Sequence, residues 1–288
     1  YASVELLRYP QLRGKPLVIG GGRRHQPQPQ PDGTLQFATL AGYRGRGVAT
    51  TATYEARALG LHSGMALAKA AALAPQAVLL PVDFDEYRRL SRAFKRAVAE
   101  VAPQIEDRGI DEIYVDLTEV PGAQDVVGHD PSGGVRAVGQ VIRNNVRRAT
   151  GLTCSIGITP NKLLSKLASE FDKPDGLTLL TMDDVPQRVW PLAVGKVNGI
   201  GPKAASALAG MGVRTVGELA AFDRDALQTR FGRSYGAWLW RAARGIDDRA
   251  VQTRQEPVSL SRETTFDRDL HAVQDRAELG EVFTQLCT

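Results

Sequence analysis

Between residues 84 and 171 the sequence alternates between helical and strand periodicity, and this alternation narrows the folds open to the chain. Tyr87, Leu90, Phe94, Val98 and Val101 recur at spacings of three and four, one apolar stripe of a helix. DEIYVDL (111–117) is rich in β-branched and aromatic types and reads as a strand. Val135, Val138, Val141, Ile142, Val146 and Ala149 form a second helical stripe, with Gly151 as its stop. LTCSIGI (152–158) reads as another strand. TPNKLLSKLASEF then opens a helix with Thr159 as N-cap and Pro160 as first helical residue. Single strands between helices predict an α+β sandwich with helices packed on one sheet, for which a ferredoxin-like layout is the natural candidate.

The flanks read differently. KPLVIGG (15–21) is a short strand, and the Pro/Gln alternation of RRHQPQPQPDG (23–33) predicts an exposed loop. From Leu35 to Pro75, GVATTATYEARALG and MALAKAAALAP predict two short helices, the first stopped by Gly60. After KPDG (173–176) come short helices with Gly-rich turns, to about residue 240. RGIDDRAVQTRQEP (244–257) reads as a polar linker, and VSLSRETTFDRDL (258–270) opens a further unit.

With 288 residues the chain has room for two or more domains. No apolar run approaches the roughly 18 residues of a membrane helix, and there is no signal-peptide pattern. Cys154 and Cys287 are too few for a disulfide framework or a zinc site, which predicts a reducing, cytoplasmic setting.

The net charge of +4 is unevenly placed. From Val185 to Gly245 there are nine Lys/Arg against three Asp/Glu, a surplus larger than that of the whole chain. Such a surplus fits either a solvated face or a polyanion-binding surface. VNGIGPKAASALAGMGVRTVGELAA (197–221) lies inside it. Gly199 and Gly201 flank Ile200 in a turn, and Ala204, Leu208 and Val213 fall at packing positions. Glycines there let backbone amides approach a phosphate at a helix N-terminus, and Lys203 can add charge. The pattern is that of a helix-hairpin-helix, which holds DNA backbone without reading sequence. A plain helical hairpin with a Gly turn is the competing reading.

Asp111 and Glu112 are adjacent carboxylates at the mouth of an apolar strand. Like charges so placed repel, and a divalent cation removes that cost. At a hairpin tip the two side chains need not point to opposite faces, and carboxylates with substrate phosphates are the donors Mg²⁺ takes. A solvated strand end is the alternative.

YASVEL (1–6), TATYEARALGLHSGM (51–65), GIDEIYVDLT (109–118) and SIGITPNKLLSKLASEFDKPDG (155–176) together resemble Y-family translesion DNA polymerases, most nearly the bacterial DinB type. The resemblance implies an α+β fold: a ferredoxin-like palm (1–9 and 80–172), small α/β fingers (10–79), a helix-hairpin-helix thumb (173–243), a linker (244–257) and the start of a little finger (258–288). It implies template-directed, low-fidelity DNA synthesis by two-metal nucleotidyl transfer. Asp111 and Glu112 would be metal ligands for two Mg²⁺ ions, with the third carboxylate five residues upstream of Tyr1. Thr51, Tyr54, Arg57 and Lys173 would contact the nucleotide triphosphate; Asp175 stands where the family's turn has Asn. Tyr1 would be the steric gate against a 2′-hydroxyl, and Gly64 a small residue over the nascent base pair. Gly109 stands where many relatives have Ser. Gly199, Gly201 and Lys203 would contact DNA. The implied partners are primer-template DNA, an incoming dNTP and a sliding clamp, with the protein a monomer and no membrane partner. A non-catalytic DNA-binding relative and a palm-based nucleotidyl cyclase are the alternatives, and the second would not need a helix-hairpin-helix.

Overall fold

The computed structural model describes every residue except Arg23, Arg24, Gln255, Pro257, Val258, Asp267 and Thr288. Parts of the expected loop at 23–33, linker at 244–257 and further unit at 258–270 therefore lie outside the described residues. The chain divides into two compact units, Tyr1–Arg89 with Gln255–Thr288, and Leu90–Arg254.

The first unit opens with helix α1 (Ala2–Arg8) and strand β1 (Leu17–Gly20). Leu17, Val18 and Ile19 are wholly buried, as the central strand of a sheet must be. β1 pairs antiparallel with β4 (Ala49–Ala52) and parallel with β5 (Val78–Leu80). Residues 28–29 and 35–36 (β2, Gln28–Pro29; β3, Leu35–Gln36) form a small exposed hairpin in and beside the predicted loop. The expected helix over GVATTA is not formed. Ala49–Ala52 is a strand instead, because Thr50 and Thr51 suit a pleated surface and Thr53 starts the helix only at Tyr54. Helices α2 (Tyr54–Ala58) and α3 (Leu67–Leu73) follow, and Gly60 at φ +86° ends the first as expected. Their inner faces bury Ala56, Leu67 and Ala70 against Val18 and Leu79. Helix α11 (Arg276–Cys287) belongs to the C-terminal part of this unit.

The division between the units falls within helix α4 (Phe84–Ala99). The second unit contains β6 (Ile105–Asp107) and β7 (Ile113–Val115), paired antiparallel, then α5 (Gly133–Thr150). β8 (Ile156–Ile158), α6 (Lys162–Ala168) and β9 (Leu177–Leu179) follow, with β8 and β9 parallel. Among the described residues, hydrogen bonding divides the expected single sheet into these two ladders. Gly151 caps α5 in the left-handed region at φ +73°. The stripe predicted on α5 needs correction. Ile142 and Val146 are buried with Gly139 and Thr150, but Ala149 is exposed. Val141, 47% exposed, faces a hollow of about 510 Å³ lined also by Val101, Val120 and Val138.

The start of α6 is also corrected. Asn161, not Thr159, is its N-cap: extended at φ −156°, it accepts a hydrogen bond from Leu164 N. The Thr159 hydroxyl is committed elsewhere, donating to Asn161 O at 2.8 Å. From α6 the core continues without a break, as Leu163, Leu164 and Leu167 join Leu208, Leu219 and Leu239. Those last residues come from α7 (Pro202–Gly210), α8 (Val216–Ala221) and α10 (Arg233–Ala243), with α9 (Arg224–Phe231) between the latter two.

The stretch expected as a polar linker begins as a docked strap. Asn161 Nδ2 donates to Gly245 O at 2.7 Å, and Leu163 N to Asp247 Oδ2 at 2.9 Å. Lys162 Nζ bonds Ala250 O at 2.8 Å and forms an ion pair with Glu106 at 2.7 Å. Glu106 in turn accepts from Gln252 N at 2.9 Å. Composition alone hid this, because every partner is distant in sequence.

Candidate active site

The β6–β7 hairpin carries the acidic pair at its tip. Register places Asp107 opposite Ile113, so residues 108–112 form the turn, closed by Arg108 N donating to Glu112 O at 3.0 Å. Gly109 sits at φ +142°, a conformation L side chains rarely adopt. A serine there would be strained by the backbone, whatever space surrounds it. Lys95 steadies the turn, donating to Asp107 Oδ2 at 2.6 Å and to Gly109 O at 2.7 Å. Burial alone would raise the Asp107 carboxyl, but Lys95 and the Gly109 amide hold it below the usual carboxylate range. Asp116 lies beyond the tip and caps Thr118, whose hydroxyl and amide lower its carboxyl.

Asp111 and Glu112 are both exposed. Lys166, from α6, reaches Glu112 Oε1 as an ion pair. Burial of Lys166 would depress its ammonium, but Glu112, with Glu170 and Tyr114, more than offsets this and raises it. Two adjacent carboxylates fit a hard cation shared with a phosphate ligand and water better than a closed protein cage. Among the described residues no group of three or more His, Cys, Asp or Glu gathers to hold a metal. Sequence reading missed Lys166 because nothing local marks a lysine whose partner lies 54 residues away.

The predicted triphosphate contact of this unit lies near a turn. Lys173, 38% exposed, pairs with Glu170 at 2.6 Å. Two residues on, Asp175 adopts φ +57° and is held by Arg143 at 2.8 Å and Arg147 at 2.6 Å. The acid at this position thus has two cationic partners from α5, which the sequence did not disclose.

In the first unit, Thr51 lies half-buried on β4, and Tyr54 and Arg57 open α2. They share a helix face as their spacing requires: the Arg57 guanidinium carbon lies 5.8 Å from the Tyr54 ring centre, and Tyr54 is 60% exposed. Arg57 Nε donates to Ala52 O at 3.0 Å, which ties its guanidinium to the end of β4. Thr53, a residue the sequence reading passed over, organises this corner. Buried, it caps α2, accepts from Leu17 N at 3.1 Å and donates to Lys15 O at 3.3 Å. Gly64 has φ +80° with open space around it, so its backbone conformation, not crowding, calls for glycine. The Tyr1 ring stacks on Tyr87 at 4.6 Å, with Phe84 edge-on at 6.0 Å. Tyr87 donates to the buried Glu5 at 2.6 Å; burial and that carboxylate raise its phenol well above the ordinary range.

The helix-hairpin-helix forms as read. Ile200, Leu208 and Val213 are buried while Gly199, Gly201 and Lys203 are exposed. α7 starts with Gly201 and Pro202 and has no side-chain cap. α8 has a full capping box from Thr215 and Glu218. Gly199 is required twice over: it has φ +103°, and a Cβ there would lie 2.7 Å from Trp238. Tyr235 stacks on Trp238 and donates to Gly199 O at 2.8 Å.

An exposed acidic hairpin tip lies in a helix-and-strand unit whose core runs into a helix-hairpin-helix, and comparison with known proteins says what class this arrangement belongs to. Residues 1–170 match the impB/mucB/samB family, and residues 192–246 match the helix-hairpin-helix motif described for DNA polymerase eta and Rev1. The chain belongs to the impB/mucB/samB family, the Y-family of DNA polymerases. It is 40% identical to a DNA polymerase IV of Methanoculleus marisnigri over 93% of this chain and 67% of that one. It is 37% identical to a DNA polymerase IV of Alkalilimnicola ehrlichii, over 94% and 68%. Its fold matches DinB from Sulfolobus solfataricus with a TM-score of 0.71 at 26% identity, covering 88% of this chain and 66% of that one. An insertion ternary complex of Dbh DNA polymerase matches at 0.69 and 25% identity, over 90% and 66%. The chain thus spans about two thirds of the length of these relatives. Among the described residues no helix is long and apolar enough to cross a membrane.

Proposed function

We propose that this chain is the catalytic portion of a template-directed, low-fidelity DNA polymerase that extends a primer 3′ end in translesion synthesis. The observation that carries the reading is the placement of Asp111 and Glu112 side by side at an exposed, braced hairpin tip. Similarity to chains named DNA polymerase IV, and to a polymerase seen in an insertion ternary complex, supports it.

In this reading Asp111 and Glu112 present oxygens to two Mg²⁺ ions. Bound there, the cations supply charge neutralisation for the attacking and leaving oxygens of in-line transfer. Tyr54 donates one hydrogen bond, and Arg57 a planar fork, to the triphosphate, with Thr51 beside them in sequence. Lys173 adds a point charge. Tyr1 lies under the sugar and excludes a 2′-hydroxyl, and Gly64 leaves the nascent base pair an open roof. Gly199, Gly201 and Lys203 hold DNA phosphates, so binding weakens steeply with salt. Residues 1–9 and 80–172 serve as palm, 10–79 as fingers, 173–243 as thumb, 244–257 as linker and 258–288 as the start of a little finger. A sliding clamp is the expected protein partner of a monomer, and the cytoplasm its location.

The test is Asp111→Ala in the full-length protein. Primer-template binding is expected to persist while extension is lost. Undiminished extension would sink the assignment.

A further inference from the structure

Among the described residues Lys173 is bonded only at the surface, to Glu170, yet the backbone two residues on is held tightly. Asp175 sits in the left-handed region at φ +57°, and both of its carboxylate oxygens are taken. Oδ1 pairs with Arg143 at 2.8 Å and Oδ2 with Arg147 at 2.6 Å. Arg143 also donates to the Asp175 carbonyl. The two arginines are four residues apart on α5 and therefore share a face. Arg143 is 18% exposed and Asp175 31%, so solvent screens that pair less than an open surface pair, whereas Arg147, 59% exposed, is the solvated arm of the cluster. The following residue continues the attachment. Gly176 N donates to Ser155 Oγ at 3.2 Å, and Gly176 O accepts from Ile156 N at 2.9 Å, joining the turn to β8.

We propose that the Asp175–Arg143–Arg147 cluster is the positioning element for Lys173, so that Arg143, Arg147 and Asp175 set the affinity for the nucleotide triphosphate without touching it. This rests on the reading of Lys173 as a triphosphate contact. A lysine on a flexible four-carbon stem is only as well placed as the backbone that carries it. A turn anchored from α5 and β8 fixes that backbone while the ammonium stays free to exchange Glu170 for phosphate. The cluster also consumes charge. Each guanidinium that pairs with Asp175 is one fewer competing anchor for the triphosphate beside Lys173.

The experiment is steady-state primer extension by the full-length protein bearing R147A, D175N, both together, or K173A, with dNTP concentration varied. Melting temperature and dNTP binding by fluorescence are measured on the same samples. Asparagine tolerates φ > 0, so D175N keeps the turn while removing the charge. R147A and D175N are each expected to raise KM for dNTP by about three- to tenfold with kcat nearly unchanged. The double variant should be no worse than the poorer single one, and binding should weaken in parallel. A raised KM in K173A beside unchanged KM in R147A and D175N would overturn the positioning role alone. An unchanged KM in K173A would overturn the Lys173 contact, and the inference with it. A fall in kcat matched by a large loss of melting temperature in D175N would also contradict the proposal, since it marks a purely structural cluster.

Discussion

Glu106, within a strand of the β6–β7 hairpin, and Glu112, at its tip, live in opposite environments. Glu106 on β6 is 2% exposed and is gripped by Lys162, Gln252 N and, at 3.5 Å, Arg108. Glu112 at the tip is half exposed and meets Lys166. A buried carboxylate survives only with its partners in place, because the desolvation cost is offset by their attraction. An exposed one can change partners at little cost. The hairpin thus keeps one acid for holding the strap at 245–252 and leaves the other able to change partners, and sequence gives both the same letter.

The largest effect expected on this contrast is on stability. Glu106→Ala leaves the Lys162 ammonium buried and unpaired, which typically costs about 3–5 kcal/mol. Thermal or urea unfolding checks it, and a loss under about 1 kcal/mol would mean that the pair is solvated in solution. The same pair predicts an acid response. Burial would raise the Glu106 carboxyl, but Lys162, the Gln252 amide and Arg108 together hold it below its ordinary 4.5. Its contribution is therefore complete above that value and fades as pH falls through the lower folded value. Glu106→Gln should flatten stability against pH below 4.5 and not above.

Smaller effects sharpen the contrast between ligand-facing and structural residues in the hairpin-helix region. Gly199→Ala forces a side chain against Trp238 at positive φ, a cost of about 1–3 kcal/mol, and should weaken duplex binding as well. Lys203→Ala should leave unfolding unchanged and reduce the salt dependence of DNA binding. Equal effects on stability from both would erase the distinction. Asn161→Ala removes the cap of α6 and one tie to the strap, for about 1 kcal/mol. Thr159→Ala should cost less, and the reverse order would restore Thr159 as the cap.

What the sequence disclosed was local. Gly151 and Gly60 ended helices where expected, the hairpin tip carried its two acids, and Gly199-Ile200-Gly201 made the turn that its pattern implied. Each of these signals sits within a few residues of its consequence. What stayed hidden was decided elsewhere in the chain. Ala49–Ala52 became a strand because β1 was there to pair with it. Asn161 displaced Thr159 as cap while its amide found Gly245, 84 residues on. Val141 lay a turn's fraction off the buried stripe, a shift that periodicity over one helix does not settle. Lys166 and the two arginines at Asp175 declare their partners only in three dimensions.

If the hairpin divides its two acids between strap and ligand, one paired measurement separates the roles. Glu112→Gln and Glu106→Gln are prepared in the full-length protein and compared for melting temperature and, at a temperature where both are folded, for primer extension. Glu112→Gln is expected to melt like the parent and extend almost nothing, while Glu106→Gln melts early and extends normally per folded molecule. Normal extension by Glu112→Gln, or a loss of extension confined to Glu106→Gln, would contradict that division.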